Sequence, residues 1–378
     1  MNARQRQPSP PAGGRRRGLG GARWVILLAI AVFIVVAYMQ LREVLTGDRL
    51  RRMGDGTDPE SYGFTLSPLL VKRATLVASG MPKDTLQALD HPPLMRPAIV
   101  DSLNRAERGK YLVPEDLVIG VAAGGVARAY PLRVLNWHEV ANDTLGGIPV
   151  AVTWHPLSGA AVVVDRRVDG DTLVFGQSGL LADSNLLLYD RREDPANESL
   201  WSQLQARAVA GPAAARGDSL AVLPHRLEPW RAWRAAHPHT TVPFPAERMR
   251  QTYKREPYGN YEGSDLLRFP ASSLPPRGEH RNKDRVLAER TGGVWQARFL
   301  AAEETERVGS GSLERPTIHA YWFAWYALVD TVPPRESGQS GRSAQAARSA
   351  QAAQSAQAAR SAQSAQSARS VQSAHPRP

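Results

Sequence analysis

An internal repeat is the strongest constraint on the fold. Asp116-Leu117-Val118 followed by Gly124-Gly125-Val126 recurs as Asp284-Arg285-Val286 followed by Gly292-Gly293-Val294, with the same eight-residue offset from Asp to the first Gly. The exits match as well: Trp230-Arg231-Ala232-Trp233 is echoed by Trp322-Phe323-Ala324-Trp325, and Thr241-Val242-Pro243 by Thr331-Val332-Pro333. Each copy thus predicts a strand, a Gly-Gly turn and a second strand, then an aromatic helix whose paired Trp side chains lock it onto the core. Asp and the first Trp are 114 residues apart in the first copy and 38 in the second. Chemistry in the interior of the first copy therefore has no twin in the second.

That interior reads as strands. Residues 148–154, 160–165, 172–175 and 185–189 are short Val/Leu-rich runs between Gly, Asp or Ser turns, the pattern of antiparallel pairing. One helix is expected among them. Pro131 suits a first helical position, Leu132, Leu135, Glu139 and Asn142 fall on one stripe, and Gly146-Gly147 ends it. The fold class is α+β: mainly antiparallel β with a few packed helices, a degenerate internal duplication and one N-terminal membrane helix.

The membrane helix rests on residues 24–39, sixteen positions without a charge or amide, preceded by Arg15, Arg16, Arg17 and Arg23 and followed by Arg42. Its length sits at the lower limit of a spanning helix, roughly 17–25 residues. The only small-residue cleavage candidate, Val35-Val36-Ala37, lies inside the run, which favours an uncleaved anchor. Flanking arginines keep residues 1–23 cytoplasmic and send the rest outward, to the periplasmic or extracellular side. The expected order is a basic N-terminus 1–23, a signal-anchor 24–41 and a linker 42–67. An extracytoplasmic domain 68–333 follows, with copies at about 115–243 and 283–333, and then a Ser/Ala/Gln/Arg tail 334–378 too poor in apolar bulk to order itself.

Charge is confined to the ends. The chain carries +11, but residues 1–23 hold six Arg and no acid, and residues 334–378 six Arg and one Glu. The body between them is near neutral, so no nucleic-acid partner is expected. The absence of cysteine excludes disulfides, thiol nucleophiles and thiolate metal sites.

Polar residues that could carry chemistry cluster in two places. His138, Glu139, Asn142 and Asp143 fall on or just after the expected helix and point at least partly inward, either as the wall of a site for a ligand, metal or proton transfer or as a buried hydrogen-bond network. His155 and Ser158 sit where a strongly apolar strand turns at Pro156. No Gly-x-Ser-x-Gly pattern surrounds Ser158, and Leu180 breaks it around Ser178, so a nucleophile elbow is excluded. His138 and His155 are a candidate pair of ligands for a divalent metal, provided the helix packs back along the strand. Gln177 and Ser178 are further candidate ligand contacts. The catalytic candidates, should the chain be an enzyme, are His138, Glu139 and Asp143; the ligand-binding set is His155, Ser158, Asn142, Gln177 and Ser178.

Several motifs together resemble the domain-of-unknown-function family 3179. They are Ser79-Gly80 through Asp90, Ala129-Tyr130-Pro131-Leu132 through Asn142-Asp143, Pro156-Leu157-x-Gly159, Phe175-Gly176-x-Ser178-Gly179-Leu180, Leu200-Trp201-Ser202-Gln203 and Trp322-Phe323-Ala324-Trp325, spanning about 69–333. The resemblance implies an envelope or extracytoplasmic protein of unestablished activity, and supplies no reaction. Members usually carry Cys-Pro-Leu-Cys where this chain has His155-Pro156-Leu157-Ser158. The chain is therefore expected to be a membrane-anchored ligand-binding or accessory module with a small-molecule or envelope-protein partner, or else an enzyme with a His/Glu/Asp site.

Overall fold

The computed structural model describes residues 28–36, 38, 53–106, 110–301, 303–304, 306 and 309–328. Among the described residues the body stacks three larger sheets, mainly antiparallel, beside two two-stranded pairs and a few short helices. The middle sheet has seven strands, in the order Val294–Phe299, Arg285–Thr291, Thr317–Tyr321, Ala160–Asp165, Ile148–His155, Val140–Leu145 and Leu89–Asp90. Only the last pairing in this sheet is parallel. Both faces of the sheet are covered, which is why Val150 to Trp154 and Ala160 to Val164 read as nearly unbroken apolar runs.

On one face, Val150, Val152, Ala161 and Val163 pack against Ile119, Val121 and Leu227 of a four-stranded sheet. On the other, Ala151, Val162, Val164 and Ile318 meet Phe175, Leu186, Leu188 and Trp201 of a five-stranded sheet. The outer faces are closed by Trp230, Trp233 and Val100 of helices Trp230–Ala236 and Pro97–Ala106 at one end, and by Tyr62, Phe64 and Leu76 at the other.

The two Gly-Gly segments form matching hairpins, Leu117–Ala123 with Val126–Pro131 and Arg285–Thr291 with Val294–Phe299. Each hairpin takes a third antiparallel strand that leads straight into an aromatic helix: Pro229 pairs with Leu117 before Trp230, and Tyr321 with Arg285 before Trp322. Even the docking bonds correspond. The amides of Trp230 and Trp322 donate to the carbonyls of Asp116 and Asp284, and those of Arg231 and Phe323 to Pro114 and Asn282. All four expected helix tryptophans are buried.

Three expectations need correction or limits. The helix expected from Pro131 to Gly146 lasts only from Leu132 to Leu135; a turn follows, and Val140–Leu145 is a strand. Its Gly146-Gly147 is a two-residue hairpin turn with positive φ at both positions, whose twist demands a strand on each side. The expected linker joins the body before residue 67, because Tyr62 and Phe64 are buried and the Tyr62 hydroxyl donates to Met81 O. Among the described residues no helix is long and apolar enough to cross a membrane. Residues 28–36 are helical, but the remainder of the 24–41 run apart from Tyr38, residues 1–23, Thr331-Val332-Pro333 and the 334–378 tail lie outside the described residues.

Candidate functional site

The middle sheet delivers a buried polar network to one end of its interior strands. His155 ends strand Ile148–His155, and the chain turns tightly, with Ser158 N–H donating to His155 O and Gly159 N–H to Pro156 O. This turn brings Ser158 Oγ to 2.8 Å from His155 Nδ1, while Asn185 Nδ2 donates to the same oxygen at 2.9 Å. His155 and Ser158 therefore take the two cysteine positions of the motif as a hydrogen-bonded pair. Full burial pushes the His155 imidazole down to about 3, so it is neutral at physiological pH.

Glu139 stands one strand away, its carbonyl accepting from Trp154 N–H. Its φ of 57° is left-handed, unusual for a residue with a side chain, and it ends the turn after the short helix. Its carboxyl is 3 % exposed, and burial raises it to about 8 against the pull of the Gln177 side chain. Glu139 Oε2 has no hydrogen-bond partner, nor has Gln177 Oε1 or Asn185 Oδ1. A buried carboxylic acid with a raised pKa and an unpartnered oxygen is a pattern associated with functional sites.

The remaining candidates are held elsewhere. His138 Nδ1 donates to Gln87 O at 2.6 Å, and its Nε2 accepts from the Tyr253 hydroxyl at 2.5 Å, so both ring nitrogens are engaged. It lines a separate pocket of about 250 Å³ with Pro92, Tyr111 and Phe244, and it shares no hydrogen-bond partner with His155. Asn142 clamps Phe175 through both its backbone N–H and C=O and reaches Asp90. Asp143 is locked to Arg128 and accepts from the Tyr130 hydroxyl at 2.8 Å, and Ser178 Oγ donates to Leu187 O. Asn142 and Asp143 thus join neighbouring sheets, while Ser178 ties two strands of the five-stranded sheet. Among the described residues no group of three or more His, Asp or Glu side chains is placed to hold a metal.

Over the network lies a cleft of about 410 Å³. Trp154 and Pro156 form its floor, Tyr253, Tyr258, Tyr261 and Tyr321 its walls. The ion pairs Arg133–Asp116, within the first copy, and Arg285–Glu262, joining the second copy to the segment before it, line it. Burial raises the Tyr258 phenol, with a smaller electrostatic contribution from Glu139, which places the cleft wall near the buried acid. Lys283 fixes the tyrosine-bearing loop by donating to the carbonyls of Tyr261, Ser264 and Leu266, with its ammonium 3.3 Å from the Tyr261 ring centre. Tyr261 in turn donates to Leu157 O at 3.0 Å. The sequence did not single out this loop, since nothing in its composition marks it as facing a turn a hundred residues away.

The architecture and site define an α+β protein of three stacked sheets, with a neutral polar network sealed beneath an aromatic cleft. The chain belongs to the DUF3179 family, described as a protein of unknown function, whose model matches residues 89–312. No curated protein and no solved structure matches the chain.

Proposed function

We propose that this is a membrane-anchored, extracytoplasmic binding module whose ligand lies in the cleft between the two copies of a degenerate duplication. The carrying observation is the cleft itself, walled by four tyrosines and floored by Trp154 and Pro156 where both copies meet. Its charged lining balances, with Arg133, Lys254, Arg255 and Arg285 against Glu115, Asp116, Glu256 and Glu262. Aromatic faces with paired donors and acceptors suit a neutral, hydroxyl-rich ring such as an envelope sugar. The anchor is supported by the charge-free run and by the exposed apolar side chains of residues 28–36, Phe33 being 73 % exposed. The duplication is supported by the matching hairpins and docking bonds. Neutral N-acetylglucosamine oligomers titrated into full-length protein should give a saturable change in tryptophan fluorescence that Tyr258→Ala weakens at least tenfold. No saturable change, or the same affinity in the variant, would refute the binding site.

One observation favours a second reading, an enzyme. Glu139 is held protonated near the cleft with an unpartnered oxygen, the state a general acid requires. Against it, Glu139, His155 and Ser158 are all sealed from solvent. Mass analysis of the incubated oligomers decides: cleavage by wild type and not by Glu139→Gln would carry the enzyme, and intact oligomers with both would exclude it.

A further inference from the structure

The near-neutral body is neutral only in sum. Helices Pro97–Ala106 and Trp230–Ala236, which cover the outer face of the four-stranded sheet, frame two adjoining concavities of about 620 and 640 Å³ that share Arg234 and Pro238. Their linings carry five fixed positive charges, Arg96, Arg105, Lys110, Arg231 and Arg234, against one negative, Asp101. Arg234 holds that aspartate through two guanidinium nitrogens at 2.8 Å, and Arg231 faces Glu115 at 3.7 Å. Arg96, Arg105 and Lys110 are exposed, and no ion pair among the described residues engages them. The floor between the charges is apolar, made by Leu112, Pro114, Trp230 and Ala235. A concavity elsewhere, at Asp169, Asp171, Glu193 and Asp194, has the opposite balance, so positive charge is segregated here and not scattered.

We propose that this groove binds an extended polyol-phosphate chain, in which phosphodiesters alternate with short hydroxylated carbon links. Guanidiniums present a planar fork that matches phosphate oxygens, and like charges gathered in a concavity focus their field on a polyanion. Two adjoining concavities with exposed cations in each, Arg96 in one and Arg105 and Lys110 in the other, suit a chain carrying several anions better than a single phosphate. The apolar floor accepts the carbon links between the charges. Trp230, the one tryptophan in the lining, is 3 % exposed and offers no face for stacking bases, which sets the groove apart from a nucleic-acid channel. A bilayer fits less well. Tyr62 and Phe64, near which the N-terminal segment joins the body, pack outside the five-stranded sheet, and the seven-stranded sheet stands between that end and the groove. This last step alone rests on the anchor reading. The groove is also separate from the aromatic cleft, since Pro114 lines the one and Glu115 and Asp116 the other.

The test titrates full-length protein in neutral detergent into a fluorescent poly(glycerol phosphate) chain, a readout that does not involve the sugar cleft. Wild type should bind saturably, and log K should fall linearly with log salt at a slope of about −2 or steeper, the mark of roughly three or more neutralised phosphates. The double variant Arg105→Gln/Lys110→Gln should bind about tenfold or more weakly. Arg73→Gln, at an exposed arginine paired with Glu60 on the opposite side of the body, should bind as wild type does. No saturable binding, equal affinity in the double variant or a salt slope near zero would overturn the proposal. Tighter binding of single-stranded DNA of matched charge, or of vesicles containing anionic lipid, would overturn it in favour of those partners, and equal affinity for free glycerol phosphate would reduce it to a single-anion site and overturn the extended chain. Both replaced side chains are exposed, so the fold should survive, and the wild-type salt slope decides independently of any variant.

Discussion

At the scale of single residues, the interior holds two titratable groups whose pH effects oppose each other. His155 is near 3 in the folded chain and about 6.5 unfolded, so its contribution is complete above about pH 6.5 and lost as pH falls toward 3. Glu139 is near 8 folded and about 4.5 unfolded, so its contribution is complete below about 4.5 and lost as pH rises toward 8. Glu139→Gln should therefore gain stability over wild type with rising pH, on the order of 1 kcal/mol per unit between pH 5 and 8. Urea midpoints measured at several pH values check this, and parallel profiles would contradict it. Ser158→Ala leaves the Asn185 amide and the His155 ring without their shared partner, and should cost about 1–3 kcal/mol at pH 7 with the circular dichroism spectrum retained.

At the scale of elements, the glycine turns carry different loads although they look alike in sequence. Gly124 and Gly146 come from hairpins of two different sheets and pack against each other: a Cβ on Gly146 would lie 2.4 Å from Ala123 O, and one on Gly124 2.4 Å from Gly146 O. Gly292 has a similar positive φ but open space around it. Gly292→Ala should cost about 1 kcal/mol from backbone strain alone, whereas Gly146→Ala must also push two turns apart and should cost about 3 kcal/mol or more. Equal losses in thermal unfolding would contradict that difference. Strands 148–154 and 160–165 were legible because a sheet buried on both faces leaves unbroken Val-rich runs. The segment after Leu135 was not: Glu139 and Asn142 fit a helical stripe, and alternation along Val140–Leu145 was hidden because nearly every residue there is buried, polar ones included. His155 and Ser158 were legible as a strand end and turn. Asn185 and Tyr258 were not, since their neighbours come from sheet packing across long stretches of sequence.

At the scale of the whole molecule, the proposed binding module would hang from a membrane anchor, with its ligand in the cleft lined by Trp154, Pro156 and four tyrosines. Full-length protein should stay in the membrane pellet while residues 45–333 remain soluble, and a processed N-terminus near Tyr38 would contradict the anchor. Deleting residues 338–378 should leave the unfolding midpoint unchanged, because a Ser/Ala/Gln/Arg composition offers no apolar surface to bury; a drop of several degrees would show that the tail docks. The most direct test of the binding cleft is hydrogen exchange of the full-length protein with and without saturating N-acetylglucosamine oligomer. The account predicts slowed exchange confined to 154–159, 253–262 and the start of strand Arg285–Thr291. Slowing elsewhere with these segments unchanged, or no change at any amide, would contradict it.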